Sequence, residues 1–144
     1  MACLEQTCLS EYIDLRRLYL VGNSMGGTGV WYLGARNPGT FAALVPVCGG
    51  VNFPAAASGD PASEENHVIY LARAEAIAGT PVWVFHGDDD PIVPVGFSQG
   101  MVNAMASAGQ TCRYTEYPGH GHDAWEPAFE DSALWDWLFR QGLG

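Results

Sequence analysis

The sequence predicts an α/β fold: a small, mostly parallel sheet of about four strands flanked by helices. Two observations carry that expectation. Four strand-like runs, "RLYLVG", "FAALVPVCGG", "TPVWVFHG" and "RYTEYPG", are each closed by glycine, and the apolar ones read as strands buried on both faces of a parallel sheet. Between them lie stretches with helical spacing, and an alternation of strand and helix argues for parallel strands joined by crossover helices. A length of 144 residues suits one domain, and no repeat or linker interrupts it, so residues 1–144 are expected to form a single unit.

Taken in order, Leu4, Cys8, Tyr12 and Leu15 recur at near-helical spacing and predict a short amphipathic helix before the first strand, "RLYLVG". A helix should follow from about Met25 to Arg36, with Val30, Leu33 and Gly34 facing inward and Pro38 preventing continuation. "FAALVPVCGG" is the second strand. Residues 51–66, rich in Ala, Ser, Pro, Gly and Asp without periodicity, read as a loop long enough to border a site. A helix near residues 67–77 leads into "TPVWVFHG". Phe97, Met101, Met105 and Ala108 mark a further helix ended by Gly109. After "RYTEYPG", the run "ALWDWLF" belongs to a C-terminal helix that Gly142 can end.

Composition removes several function classes. Six Lys and Arg against sixteen Asp and Glu give a net charge of −10, which repels a phosphate backbone and an anionic membrane surface. No nucleic-acid or membrane partner is expected. Cys3, Cys8, Cys48 and Cys112 lack the paired spacing of a zinc ribbon or a CxxC redox site, so free thiols in a reducing compartment are expected. Residues 1–15 carry Glu5, Glu11 and Asp14 rather than a basic segment followed by an apolar one, and no stretch is long enough to cross a bilayer. A cytoplasmic location is the expectation.

Open α/β sheets bind ligands outside the carboxyl ends of their strands, and three such ends here carry groups suited to one reaction. Gly22-Asn23-Ser24-Met25-Gly26 is a G-x-S-x-G match at a strand-to-helix turn, where small flanking residues remove clashes with the adjoining elements. By itself the pattern equally describes a tight turn. The following helix aims its N-terminal dipole at an oxyanion forming beside Ser24, with the Met25 N–H as the natural first donor. Serine is a weak nucleophile unless a carboxylate-held histidine takes its proton. "HGDDDPIVP" follows the third strand and "GHGHDAW" the fourth, so the order is Ser, acid, His, as in α/β-hydrolases.

Through "DLRRLYLVGNSMGG", "FAALVPVCGG", "PVWVFHGDDDPIVP" and "YTEYPGHGHDAWEPAF" the chain resembles the α/β-hydrolase superfamily, and within it small predicted peptidases, phospholipase/carboxylesterase-like enzymes and feruloyl or polyhydroxybutyrate esterase relatives. The resemblance runs from about Asp14 to Trp137 and implies a truncated α/β-hydrolase core with Ser24 as nucleophile, Asp90 as acid and His122 as base. The family pattern His-Gly-x-x-Asp-x-x-Val-Pro selects Asp90 over Asp88 and Asp89, which read as solvated carboxylates or partners of the turn. The pattern Gly-His-[Asp/Asn]-x-Trp selects His122 over His120, which lines the site or caps a loop.

Asn23, His120 and Trp125 stand beside these as substrate-contact candidates. Trp125, Phe53 and Trp83 could flank an acyl pocket, although such aromatics more often fill core. His86 reads as a packed, hydrogen-bonded histidine. A zinc site built on His120, His122 and the Asp cluster would leave the serine turn unexplained, so no metal is expected.

The family pattern includes several strands before the nucleophile strand, and a loop among them supplies a second oxyanion N–H. This chain begins about one short helix before that strand, so either activity is expected to be weak or another backbone group or a second subunit is expected to fill the gap. The strand over residues 17–21 is then an apolar sheet edge, which invites pairing with another chain and predicts a homo-oligomer, most simply a dimer. The expected function is a serine carboxylesterase acting on short acyl esters, a small-molecule substrate, without cofactor. Its rivals are a peptidase or thioesterase with the same triad, and an inactive fragment serving in binding or assembly.

Overall fold

The structure is a computed structural model, and it describes residues 6–7, 13–52 and 59–144. The predicted helix through Leu4, Cys8 and Tyr12 falls largely outside the described residues, as do Phe53, Cys3 and Cys8. Leu15, the last residue of that expected helix, instead opens a 3-10 turn at Leu15–Arg17, capped by the Asp14 carboxylate accepting from the Arg16 N–H.

Four strands form one sheet in the order β1 (Tyr19–Asn23), β2 (Ala43–Val47), β3 (Trp83–Gly87) and β4 (Arg113–Tyr117), each parallel to its neighbour. This is the small parallel sheet of four strands, flanked by helices, that the sequence predicts. Among the described residues, five α-helices, each covered over its full length, accompany the strands: α1 (Met25–Arg36), α2 (Glu64–Ala76), α3 (Gly96–Ser107), α4 (Trp125–Glu130) and α5 (Ser132–Leu138). The period of two along the central strands divides the core into two layers. Leu44, Val82 and Val84 pack with Val30, Trp31, Phe97, Met101 and Met105 on the face covered by α1 and α3. Ala43, Val45, Val47, Trp83 and Phe85 point the other way, onto Leu134 and Leu138 of α5. Both layers are apolar because β2 and β3 are covered on both faces and paired on both edges, which is why they read as continuous hydrophobic runs.

Three expectations are corrected. Leu33 does not face inward: it is exposed, and the buried face of α1 is Gly27, Val30, Trp31 and Gly34, a stripe at i, i+3, i+4 and i+7 that leaves Leu33 on the solvent side. Gly34 does face the sheet, where a Cβ would stand 2.7 Å from Leu44 Cδ1. Second, α2 starts inside the stretch read as loop, because the Ser63 hydroxyl caps it by accepting from the Asn66 N–H and Glu64 and Glu65 suit its first turn. Third, α4 was not expected at all.

Candidate active site

The carboxyl ends of β1 and β3 and the loop after β4 meet at one point, and backbone sterics decide how. Ser24 joins β1 to α1 at φ 55° and ψ −121°, a conformation that costs a non-glycine residue about 1–3 kcal/mol. Its N–H donates to Val47 O (2.8 Å), and its own carbonyl accepts from the Thr28 N–H (3.1 Å). These bonds hold the turn against the end of β2. The turn is too tight for side chains at two of its glycines. A Cβ on Gly22 would stand 2.6 Å from the Gly26 backbone, and one on Gly27 would stand 2.6 Å from Val47 O. Gly26 differs from the expectation that both flanks need smallness for their own sake, since a Cβ there would meet nothing within 4 Å. Its backbone is what Gly22 must clear.

A second close crossing brings the histidine loop in. At Gly87, the last residue of β3, a Cβ would sit 2.2 Å from His120 O and 2.4 Å from Gly121 O. Only a glycine lets this loop lie across the strand end. The crossing is fastened by Asp89 N–H donating to His120 O (3.0 Å) and by Gly119 N–H donating to Asp88 Oδ1 (2.7 Å). Asp88 is thus a partner of the turn, and the exposed Asp89 contributes its amide.

The result is a continuous relay. His122 Nε2 lies 2.7 Å from Ser24 Oγ, and His122 Nδ1 lies 2.7 Å from Asp90 Oδ2. A nitrogen facing a carboxylate carries the proton, so Nδ1–H donates to Asp90 and Nε2 is left to accept from the Ser24 hydroxyl. Asp90 Oδ1 accepts from the Ile92 N–H (2.8 Å) and the Val93 N–H (2.9 Å) of its own turn. Burial pushes the Asp90 carboxyl up, but the bonds from His122, Val93 and Ile92 outweigh it and hold the group below its ordinary range. Asp90 is therefore an anion at neutral pH, able to balance charge arising on His122.

The other candidates surround this relay without joining it. Asn23 and Met25 are exposed on either side of Ser24. Helix α1 has no side-chain cap, so its first N–H groups, Met25 among them, have no acceptor within the helix. His120 lies 3.6 Å from the Asp123 carboxylate and sets its ring edge-on to Tyr117. Trp125 opens α4 and is 40% exposed. No hydrogen bond joins Asn23, His120 or Trp125 to Ser24 among the described residues. Trp83 is core: it is the first residue of β3, stacks on Phe85, and donates its Nε1–H to Thr115 Oγ1.

Sequence reasoning missed two features. Cys48, just past β2, is buried at φ 46°. Its sulfur lies within 4.8 Å of ligating atoms of His86 and Asp90, a different trio from the His120–His122 pair weighed for zinc. These three do not fit a metal as arranged, because both His86 nitrogens and both Asp90 oxygens already have partners and burial pushes the Cys48 thiol up to about 11. The second feature is Ser98, a buried α3 residue bonded to His86, for which the sequence holds no signal.

The model of the prolyl oligopeptidase family matches residues 1–141. The chain belongs to this family. Among curated relatives, an "Uncharacterized secreted protein" of Arthroderma benhamiae is 30% identical over 115 residues, covering 72% of this chain and 12% of that protein. Among solved structures, a thermostable esterase is 34% identical with a TM-score of 0.81, covering 98% of this chain and 35% of that one. SOBER1 of Arabidopsis thaliana shares the fold, with a TM-score of 0.70 at 23% identity over 96% of this chain and 59% of that one. This prolyl oligopeptidase family chain thus spans about a third of the esterase and about an eighth of the curated relative. The α/β-hydrolase resemblance and the truncated core are borne out by these matches.

Proposed function

We propose that this chain is a serine carboxylesterase that hydrolyses short-chain acyl esters, with Ser24 as nucleophile, His122 as base and Asp90 as orienting acid. The observation that carries the reading is the unbroken pair of 2.7 Å hydrogen bonds from Ser24 through His122 to Asp90. Ser24 Oγ attacks the ester carbonyl as its proton passes to His122 Nε2, and the carbonyl oxygen becomes an oxyanion beside the Met25 N–H. Asp90 stabilises the imidazolium that forms. Collapse expels the alkoxide, which takes the proton from Nε2, and leaves an acyl-serine. Water then repeats the sequence, giving its proton to His122 and releasing the acid. Side chains and backbone supply every step, with no metal or organic cofactor. Asn23, His120 and Trp125 are assigned to substrate contact.

The esterase with which the chain shares 34% identity favours esters. The prolyl oligopeptidase family name favours a peptidase as the second reading. Esters place the smaller demand on the oxyanion donors, because an alkoxide or phenolate leaves more readily than an amine. Hydrolysis of p-nitrophenyl acetate, butyrate and octanoate, beside a peptide p-nitroanilide and beside Ser24→Ala, decides between them. Turnover of the shorter esters that disappears in Ser24→Ala is expected; turnover of the anilide alone would favour the peptidase, and equal traces in both proteins would leave a binding or assembly role.

Two further proposals go with this one. β1 has one strand partner among the described residues, β2, and four of its five residues are half-buried, which supports a homodimer through that edge. A compact monomer in light scattering at micromolar concentration would overturn it. The free thiols Cys48 and Cys112 support a cytoplasmic location, and recovery of the protein from a secreted fraction would overturn that. No helix among the described residues is long and apolar enough to cross a membrane.

A further inference from the structure

We infer that His86 is a positioning residue for the acid: its buried Nε2–H, fixed from behind by Ser98, ties the Asp90 turn to the sheet so that Asp90 meets His122. The inference rests on the esterase reading for its catalytic consequence and on geometry for the rest. His86 Nε2 lies 2.8 Å from Val93 O and 3.4 Å from Asp90 Oδ2. Two acceptors face this nitrogen, so it carries the hydrogen. Nδ1, 2.7 Å from Ser98 Oγ, must then accept from the hydroxyl. His86 and Ser98 are 0% and 1% exposed, so water cannot substitute for any partner.

What singles out His86 is where its partners sit. The Ile92 and Val93 amides that hold Asp90 Oδ1 belong to the acid's own turn and move with it. His122 belongs to the loop after β4. Of the side chains that face Asp90 Oδ2, His122 at 2.7 Å and His86 at 3.4 Å, His86 alone stands on a strand paired on both edges, with Val47↔Phe85 on one side and His86↔Glu116 on the other. It also grips the turn through the Val93 carbonyl. His86 is therefore the side-chain link between the carboxylate and the rigid frame, and Ser98 of α3 holds the ring in the one tautomer that can make it.

The groups facing the ring keep it neutral. Burial lowers the basicity of His86, with the Val93 and Asp90 contacts opposing. Glu116, across on β4, is occupied by Tyr114 Oη and Gln99 Nε2. Cys48, beyond β2, stays a thiol because burial raises it. His122, sharing Asp90, repels a second positive charge.

The test compares His86→Gln, whose side-chain N–H replaces Nε2–H, with His86→Leu, which removes it, in the full chain. His86→Leu should lower kcat on the order of tenfold with KM within about twofold, and should move the acid limb of kcat/KM upward by roughly half a pH unit. The sign follows because a carboxylate with one donor fewer holds the His122 imidazolium more tightly. His86→Gln should keep kcat within about threefold and leave the limb in place. Equal losses in both variants with the limb unmoved would mean packing alone and would overturn the inference. If His86→Leu does not fold, Ser98→Ala decides by the same readout: a smaller upward move supports the inference and an unmoved limb overturns it. If the parent chain has no Ser24-dependent turnover, the esterase reading fails separately. The midpoint of His122 by NMR ring titration then carries the test, rising in His86→Leu but not in His86→Gln if the inference holds, and equal in both if it does not.

Discussion

The serine turn and the acid turn close two strands of one sheet, β1 and β3, with β2 between them, yet they are held by different physics. Ser24 is placed by backbone: a positive φ, glycines at Gly22 and Gly27 where a Cβ would strike main chain, and an amide bond to Val47. Asp90 is placed by hydrogen bonds to its side chain, with its two oxygens held by Ile92, Val93 and His122 and His86 Nε2 standing 3.4 Å from Oδ2. The contrast teaches that a nucleophile needs a free oxygen and so cannot be anchored through it. The acid needs no such freedom, and its anchors double as its electrostatics. Steric changes should break the first turn, and polar changes the second.

The largest effect is expected at the serine itself. Ser24→Ala should lower ester turnover by roughly 10⁴-fold or more. Ser24→Gly should lose activity equally but gain about 1 kcal/mol or more in denaturant unfolding, because glycine carries no strain at φ 55°. Next come the glycines. Gly87→Ala should cost several kcal/mol and detach the histidine loop, since backbone carbonyls at 2.2 Å and 2.4 Å cannot step aside cheaply. Gly22→Ala should also destabilise strongly, whereas Gly26→Ala, one turn away in the same motif, should leave stability within about 0.5 kcal/mol of the parent or slightly above it. Equal losses at Gly22 and Gly26 would break the steric account of the serine turn.

The acid turn is sharpened by pH. His86 and Asp90 both titrate below their ordinary values in the fold, so each contributes stability at neutral pH that is lost on acidification. The decline should begin below about 6.5 as unfolded His86 takes up its proton, and deepen below 3.8 as unfolded Asp90 does, ending once the folded groups titrate as well. Thermal melts across that range should show the second step flattened in Asp90→Asn. The smallest effect is expected at Asp88, where Asp88→Ala removes one exposed hydrogen bond to Gly119. It should cost about 1 kcal/mol or less with turnover nearly unchanged.

Legibility in the sequence follows the same division. The four strands were readable because β2 and β3, covered on both faces, leave uninterrupted apolar runs, and glycines mark where they stop. Local patterns gave Ser24 and the order serine, acid, histidine, and the family resemblance selected Asp90 and His122 among their neighbours, but nothing in those patterns states that residues 98 apart lie 2.7 Å from each other. That distance comes from the crossing at Gly87, which looked like any strand-ending glycine. Leu33 is apolar and adjoins the buried stripe through Trp31 and Gly34, so its residue type does not reveal that it faces solvent. α2 began early because Ser63 was hidden among other turn-forming residues. α4, with Pro127 in a six-residue helix, has too little periodicity to register. Ser98 is one hydroxyl on the buried side of α3, visible only once β3 is beneath it.

The crossing of the histidine loop over Gly87 also sets an order of events. Until β3 and β4 have paired and the loop has laid its carbonyls over the strand end, the Ser24 hydroxyl lacks its hydrogen bond to His122. On the proposed triad, a molecule in which this loop has not closed leaves Ser24 unable to form an acyl-serine on a passing ester. Heat or mild denaturant that opens this loop while the sheet holds should therefore silence the site before the strands come apart.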